Sequence, residues 1–233
     1  MSPACFILLA AVIGYGLGSI SFAVLVAKQR GVDIFQAGSG NPGATNVVRV
    51  LGKGPGYFVF FLDFLKGFAA THWPMFARNC GWITVDEGTF LWMSIAGLAG
   101  AVAGHSFSMF LRFRGGKGVA TTIGGLMALM PWVTLGALLV WNIAFFAAGY
   151  VSLASILFGL ALMPLAAILH EPRELVGLSF ALAVLILWRH RANLGRLLKG
   201  TEHKFQKKAT EATKAPEATR KQRNKGPENK DRR

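Results

Sequence analysis

The chain has 233 residues, 53% hydrophobic and 15% charged, with a formal net charge of +14 and a mean hydropathy of +0.44, whereas soluble domains carry about a quarter charged residues. That balance excludes a soluble enzyme, a secreted disulfide scaffold and a wholly disordered chain, and it predicts an all-α, polytopic membrane helix bundle. Ten Lys/Arg and six Asp/Glu lie in residues 1–188 against fifteen and five in residues 189–233, so basic inner loops and a basic tail explain the excess charge without nucleic acid.

Met1 to Ala27 carries no charged side chain and exceeds the roughly 20 residues that a crossing needs. The first cation, Lys28, follows the apolar run, the reverse of a cleaved signal peptide, so a retained first span with its N-terminus outside is expected. A polar, glycine-rich loop runs from Lys28 to Gly56, and a second span from Tyr57 to Ala77 contains Asp63 and Lys66. At i and i+3 these two share a helix face, where they neutralise one another as a buried pair supporting the neighbouring loop. After an acidic connection, Arg78 to Gly88, a third span from Thr89 to about Gly104 returns to the basic residues Arg112, Arg114 and Lys117. Gly118 to His170 then gives 53 residues without Asp, Glu, Lys or Arg, punctuated at Pro131 and near Gly149, before a last run from Leu175 to Trp188.

Basic segments flank this last region and both favour the cytoplasm, so an even number of crossings, two or four, lies between them. Four gives seven transmembrane helices with the C-terminus cytoplasmic, preferred over five although Val119 to Met130 and Leu175 to Trp188 are short for a bilayer. Cys5 and Cys80 then share the outer side, where a bridge is geometrically open, although two unpaired small apolar residues are the favoured reading. Residues 1–202 form the membrane unit, and residues 203–233 a basic cytoplasmic tail expected to be disordered for want of apolar side chains.

The non-apolar residues gather in three segments on one membrane face: residues 38–53, 104–122 and 190–202. Each joins glycines, hydroxyls or amides to cations, the donor set for phosphate oxygens. In the first, Gly38, Gly40 and Gly43 fit G-x-G-x-x-G, but no strand precedes them and the following acid, Asp63, lies within a span, so a dinucleotide site is rejected. Ser39, Asn41, Thr45, Asn46 and Arg49 remain as anion ligands, with Lys53 as a further cation. In the second, Gly115, Gly116 and Gly118 frame Lys117 where a span begins, so free amides, helix dipole and ammonium converge on one anion. Arg112 reads as an inner-face anchor and Arg114 as added positive charge. In the third, helical spacing sets His190 beside Asn193, with Arg191 and Arg196 elsewhere round the turn and Glu202 able to clamp an arginine. His105 is either part of the site or a hydrogen-bonding support for the second loop. No acidic cluster suits a divalent metal, and no cofactor is expected.

These segments, GSGNPGATNVVRVLGK, GHSFSMFLRFRGGKGVATT and HRANLGRLLKGTE, with Leu62-Asp63-Phe64-Leu65-Lys66-Gly67, resemble the PlsY family of bacterial acyl-phosphate glycerol-3-phosphate acyltransferases. The likeness takes in all three segments in order and the apolar lengths between them. Ser108, Arg114 and Leu194 stand where the family usually has Pro, Lys and Ile. The resemblance implies a seven-span enzyme of the bacterial inner membrane with its active site on the cytoplasmic face. Its implied reaction moves a fatty acyl group from acyl phosphate to the 1-hydroxyl of sn-glycerol 3-phosphate, giving lysophosphatidic acid and phosphate, the first step of phospholipid synthesis. Its implied partners are those two substrates, membrane lipid and the enzyme that makes acyl phosphate.

On this reading His190, Asn193, Ser39 and Arg49 are catalytic. Asn41, Thr45, Asn46, Lys53, Arg114, Gly115, Gly116, Lys117, Gly118, Arg191 and Arg196 bind substrate phosphate. His105, Asp63, Lys66 and Glu202 support the site. The His-x4-Asp dyad of another acyltransferase class is missing, because the positions five after each histidine are Ala77, Phe110, Leu175, Gly195 and Lys208. The base for the acceptor hydroxyl is therefore either His190, whose ordinary pKa is about 6.5, or an oxygen of the acyl phosphate. A phosphate-ester transporter is the alternative of a different class, and the sequence has none of the internal repetition such proteins usually show.

Overall fold

The computed structural model describes residues 1–205, and every regular element among them is helical. Helices α1 (Pro3–Ser19) and α2 (Phe22–Gln29) make one candidate span, Pro3–Gln29, interrupted at Ile20. Ser21 caps α2 by accepting from the Val24 amide. The carbonyls at the interruption find side-chain donors: Ser108 Oγ reaches Ser19 at 2.6 Å, and Lys66 Nζ reaches Ile20 at 2.8 Å. Such partners are needed because lipid offers an open carbonyl no water. The first span is therefore two helical pieces, broken where buried donors from two neighbouring segments meet it.

Helix α3 (Ala44–Leu51) is short and buries Asn46 and Val47. Helices α4 (Lys53–Asn79) and α5 (Glu87–Ser106) are long, the latter started by Asp86 accepting from the Thr89 amide. A 3₁₀ turn, Met109–Leu111, and a glycine loop lead to α6 (Val119–Leu129), which stops where Pro131 opens α7 (Pro131–Ala148). Gly149, at φ 77°, ends α7 in the left-handed conformation that glycine tolerates. Then come α8 (Val151–Ile168), α9 (Arg173–Arg189) and α10 (Arg191–Leu198), the last two meeting at 60°.

Four candidates are long and apolar enough to cross a membrane: Pro3–Gln29, Glu87–Leu111, Pro131–Ala148 and Val151–Ile168, with α9 and α10 qualifying together as a bent pair. Helix α4 carries Asp63 and Lys66 within its length, and α6 has 11 residues, about 16 Å at helical rise.

Small residues bring the helices together, as expected where lipid removes the hydrophobic drive between them. Gly14 and Gly18 of α1 lie so close to Gly97 and Ala101 of α5 that a Cβ on either would overlap a carbonyl oxygen. Gly67 of α4 meets Thr121, and Gly124 of α6 meets Phe64, in the same way. Leu98, Leu126, Phe158, Leu162 and Ile186 fill a core shared by α5, α6, α8 and α9. Cys5 and Cys80 are both free and exposed. Phe205 donates its N–H to the Gly149 carbonyl at 2.8 Å and sets its ring against Phe145, so the chain is still packed on the bundle three residues past Glu202. The rest of the 203–233 tail, from residue 206, lies outside the described residues.

Candidate active site

The three polar segments meet where α6 and α8 begin and α9 ends, around a cavity of about 610 Å³. The first segment contributes Ser39, Asn41, Thr45 and Arg49, the second Lys117 and Gly118, and the third His190, Asn193, Arg196 and Glu202. The cavity continues between α4 and α7 past Tyr57, Phe60, Trp141 and Phe146. Of these, Tyr57, Phe60 and Phe146 are also exposed on the flank of the bundle. One end is cationic and rich in hydrogen-bonding groups; the other is aromatic.

A chain of hydrogen bonds orders the polar end. Lys117 Nζ donates to Asn193 Oδ1, and Asn193 Nδ2 donates to Glu202 Oε1 at 2.7 Å. Ser152 Oγ donates to the same carboxylate oxygen at 2.8 Å, while Arg196 Nε holds Oε2 at 2.7 Å, the clamp that the spacing allowed. Burial works against the Glu202 charge, but the donors Asn193, Ser152 and Arg196 outweigh it and hold the carboxyl below its usual range. Burial lowers the Lys117 ammonium to about 8, with Glu202 resisting and Arg196, Arg49 and Arg189 adding to the fall. Lys117 is thus charged at neutral pH and loses its proton a little above it.

His190 is the residue on which α10 starts, and its ring Nδ1 lies 2.8 Å from the Ile186 carbonyl. A carbonyl only accepts, so Nδ1 carries the proton and Nε2 keeps its lone pair. Burial, reinforced by the Lys117 charge, lowers the imidazole to about 4. The ring is therefore a neutral hydrogen-bond acceptor with little affinity for a proton.

Asp63 and Lys66 pair at 2.8 Å and are both buried, as their spacing predicts. His105 Nδ1 lies 3.6 Å from Asp63, and the His105 carbonyl accepts from the Gly116 amide at 3.1 Å. The His105 carbonyl thus ties down the second loop, while the residue also borders the cavity. Gly116, expected to offer a free amide, has its N–H engaged within the protein. Asn46 is likewise engaged within the protein. It is 1% exposed; its Oδ1 accepts from the Ser39 amide at 2.8 Å, and its Nδ2 donates to the Ala37 and Ile34 carbonyls at 3.0 and 3.3 Å. A side chain so engaged shapes the loop that presents Ser39 and Asn41, and Asn46 also lines the cavity.

Lys53 and Arg191 do not reach the cavity; Arg191 stacks on Trp188 at 4.7 Å and donates to its carbonyl. Arg114 lies over the Phe35 ring at 4.8 Å and, with Gly115, lines a separate hollow of about 400 Å³ against the Ser39–Asn41 loop. Two contributors carry little sequence signal. Arg189 donates Nη2 to the Gly115 and Gly116 carbonyls at 2.9 and 2.7 Å, and its Nε is buried with no partner among the described residues. It borders the cavity, yet in sequence it is an arginine ending an apolar run, indistinguishable from an interfacial anchor. Ser152 resembles any serine in an apolar helix.

A family model described as Glycerol-3-phosphate acyltransferase matches residues 8–200. The glycerol-3-phosphate acyltransferase of Shouchella clausii (strain KSM-K16) is 44% identical over 203 residues, covering 84% of this chain and 94% of the relative. That of Aquifex aeolicus (strain VF5) is 42% identical over 194 residues, covering 83% and 96%. The fold matches a crystal structure of PlsY (YgiH), an integral membrane glycerol 3-phosphate acyltransferase in its glycerol 3-phosphate form, with a TM-score of 0.76 at 40% identity, covering 86% of this chain and 96% of that one. The lysophosphatidic acid form of PlsY gives a TM-score of 0.74 at the same identity, covering 86% and 95%.

Proposed function

The chain belongs to the glycerol-3-phosphate acyltransferase family of integral membrane enzymes of phospholipid synthesis, and we propose that it draws its acyl group from acyl phosphate. The acceptor is the 1-hydroxyl of sn-glycerol 3-phosphate, and the products are lysophosphatidic acid and inorganic phosphate. The observation that carries this reading is the two-ended cavity, whose polar end holds Ser39, Arg49, Lys117 and Asn193 and runs on into the aromatic groove between α4 and α7. A phosphate group joined to a long hydrocarbon chain matches both ends at once.

In this reaction the acceptor oxygen attacks the acyl carbonyl carbon. The bond from that carbon to the phosphate oxygen breaks, and the hydroxyl proton passes to the departing phosphate. Lys117 and Arg49 neutralise phosphate oxygens, with Thr45 and the Arg189 Nε as further donors. Ser39 and Asn41 orient the acyl carbonyl, while Asn193 and His190 Nε2 hold the hydroxyl. An imidazole near pKa 4 takes up a proton poorly, so His190 orients the nucleophile and the phosphate receives the proton.

We read seven crossings: α1 with α2, then α4 through α9 in turn, with the N-terminus outside and the C-terminus cytoplasmic. The three polar segments then face the cytoplasm from a bacterial inner membrane. The Asp63–Lys66 pair supports a crossing by α4, because paired ions are far more tolerable in lipid than lone ones. Helix α6 crosses where the bilayer thins around it. The protein partner this reading requires is the enzyme that makes acyl phosphate.

The test is phosphate release and lysophosphatidic acid formation by the purified protein in lipid, given glycerol 3-phosphate with palmitoyl phosphate or, separately, palmitoyl-CoA. Product from the acyl phosphate alone is expected. Product from the thioester would overturn the donor assignment, and transport of glycerol 3-phosphate without conversion would overturn the enzymatic reading.

A further inference from the structure

Residues Thr201–Phe205 follow the part of the chain that the family model matches, yet two of them, Glu202 and Phe205, line the cavity. Their hold on the bundle is distributed. The Thr201 amide donates to the Arg196 carbonyl at 2.9 Å, Glu202 accepts from Ser152 and Asn193, the Lys204 ammonium lies 5.4 Å from the centre of the Tyr150 ring, and the Phe205 amide donates to Gly149. These ties reach α8, α10 and the turn between α7 and α8, so the segment is a strap across the end of the bundle.

The strap carries the Phe205 ring to Phe145, at 5.6 Å between centroids and edge-on, and Phe145 is itself stacked on Trp141 at 4.9 Å. All three rings line the cavity. Phe145 lies one turn before the end of α7, beside Gly149 and close in sequence to Ser152, which binds the Glu202 carboxylate. Along α7 Phe145, with Phe205 against it, therefore lies nearer the polar end than Trp141 does, so these two rings are within reach of the first carbons of a hydrocarbon chain attached to a group at the polar end.

We propose that Phe205 is a determinant of acyl-donor affinity, forming with Phe145 the wall that receives the carbons next to the acyl carbonyl. The inference rests on the acyl-phosphate reading above. Glu202 and Phe205 are three residues apart, so the strap completes the polar network with one side chain and the apolar wall with the other. Aromatic rings suit that second role because they offer large contact area with little freedom to lose.

The test uses the full chain in lipid vesicles with Phe205→Ala and Phe205→Leu, measuring KM separately for palmitoyl phosphate and glycerol 3-phosphate. Phe205→Ala is expected to raise KM for palmitoyl phosphate roughly five- to twentyfold, the share of an aromatic burial that a chain contact represents. It should leave KM for glycerol 3-phosphate within about twofold, and Phe205→Leu should restore most of the affinity. An unchanged KM for palmitoyl phosphate would overturn the proposal. So would an equal rise in both KM values, the signature of a strap that merely holds Glu202. If the unaltered protein makes no product from palmitoyl phosphate, the donor assignment fails, an outcome separable from the other two.

Discussion

Glu202→Gln keeps the shape of the carboxylate and removes its charge, and it tests the polar network directly. The Lys117 ammonium and the Glu202 carboxylate are joined through one amide, that of Asn193. On ordinary bond lengths the two charges lie about 7 Å apart, and at an effective dielectric near 20 they attract by about 2 kcal/mol. Partial solvent access to Lys117 reduces this to about 1 kcal/mol, a little less than one pH unit of proton affinity. On the proposed reading Lys117 binds phosphate as the ammonium, so activity is present below its pKa and is lost as pH rises through it. The unaltered enzyme should show an alkaline limb in kcat/KM at about 8. In Glu202→Gln the limb should move toward about 7, because the charge that favoured the ammonium is gone. The variant also weakens the hold on Arg196, whose side chain is 42% exposed, by about 1 kcal/mol or less, so kcat/KM at neutral pH should fall by up to about fivefold. The assay is initial rate at limiting substrate across neutral and alkaline pH. A limb that stays at about 8 or moves up, in a variant that melts normally in detergent, would show that Glu202 does not govern the Lys117 charge.

With His190 held near 4, kcat/KM of the unaltered enzyme should show no histidine titration near neutral pH, only the ionisation of substrate phosphate at about 6. His190→Ala should lower kcat by about a hundredfold through lost positioning of the hydroxyl, and an acid limb near 6.5 that disappears in this variant would instead make His190 the base. Asp63→Asn leaves Lys66 buried, at 5% exposure, without its counter-ion, which should cost about 3–5 kcal/mol. Thermal unfolding in detergent reads this, and a melting temperature equal to the parent's contradicts a structural ion pair. Gly18→Val should destabilise by about 1–3 kcal/mol, because its Cβ overlaps the Ala101 carbonyl oxygen and α1 must move off α5. Gly16→Val is the control, since a Cβ there meets nothing within 4 Å, and equal losses in the two variants would disprove the packing argument.

The helix boundaries were readable where backbone chemistry marks them. Pro131 opens α7 and Gly149 closes it, one lacking an amide hydrogen and the other tolerating positive φ. The break at Ile20 was not readable, because it depends on donors from Lys66 and Ser108, distant in sequence. The same division runs through the site. Residue types identified the polar end, and Lys117, Asn193 and His190 all line it. A list of polar residues does not say which polar atoms are already engaged. Asn46 looks like Asn41 in sequence, but its amide is saturated by Ser39, Ala37 and Ile34. Arg189 and Arg191 flank one histidine and differ only in helical phase, yet one anchors the glycine loop and the other stacks on Trp188.

The groove between α4 and α7 bears on how this enzyme's kinetics must be expressed. Its walls, Tyr57, Phe60 and Phe146, are exposed on the flank of the bundle, so on the proposed reading lipid covers them and the donor arrives sideways from the bilayer while glycerol 3-phosphate arrives from water. The two substrates are then counted on different scales: one as a molar concentration, the other as a mole fraction of the surrounding amphiphile. Adding inert lipid or detergent at constant total acyl phosphate dilutes the second without touching the first. The apparent KM for acyl phosphate should scale with that dilution, while the KM for glycerol 3-phosphate stays constant.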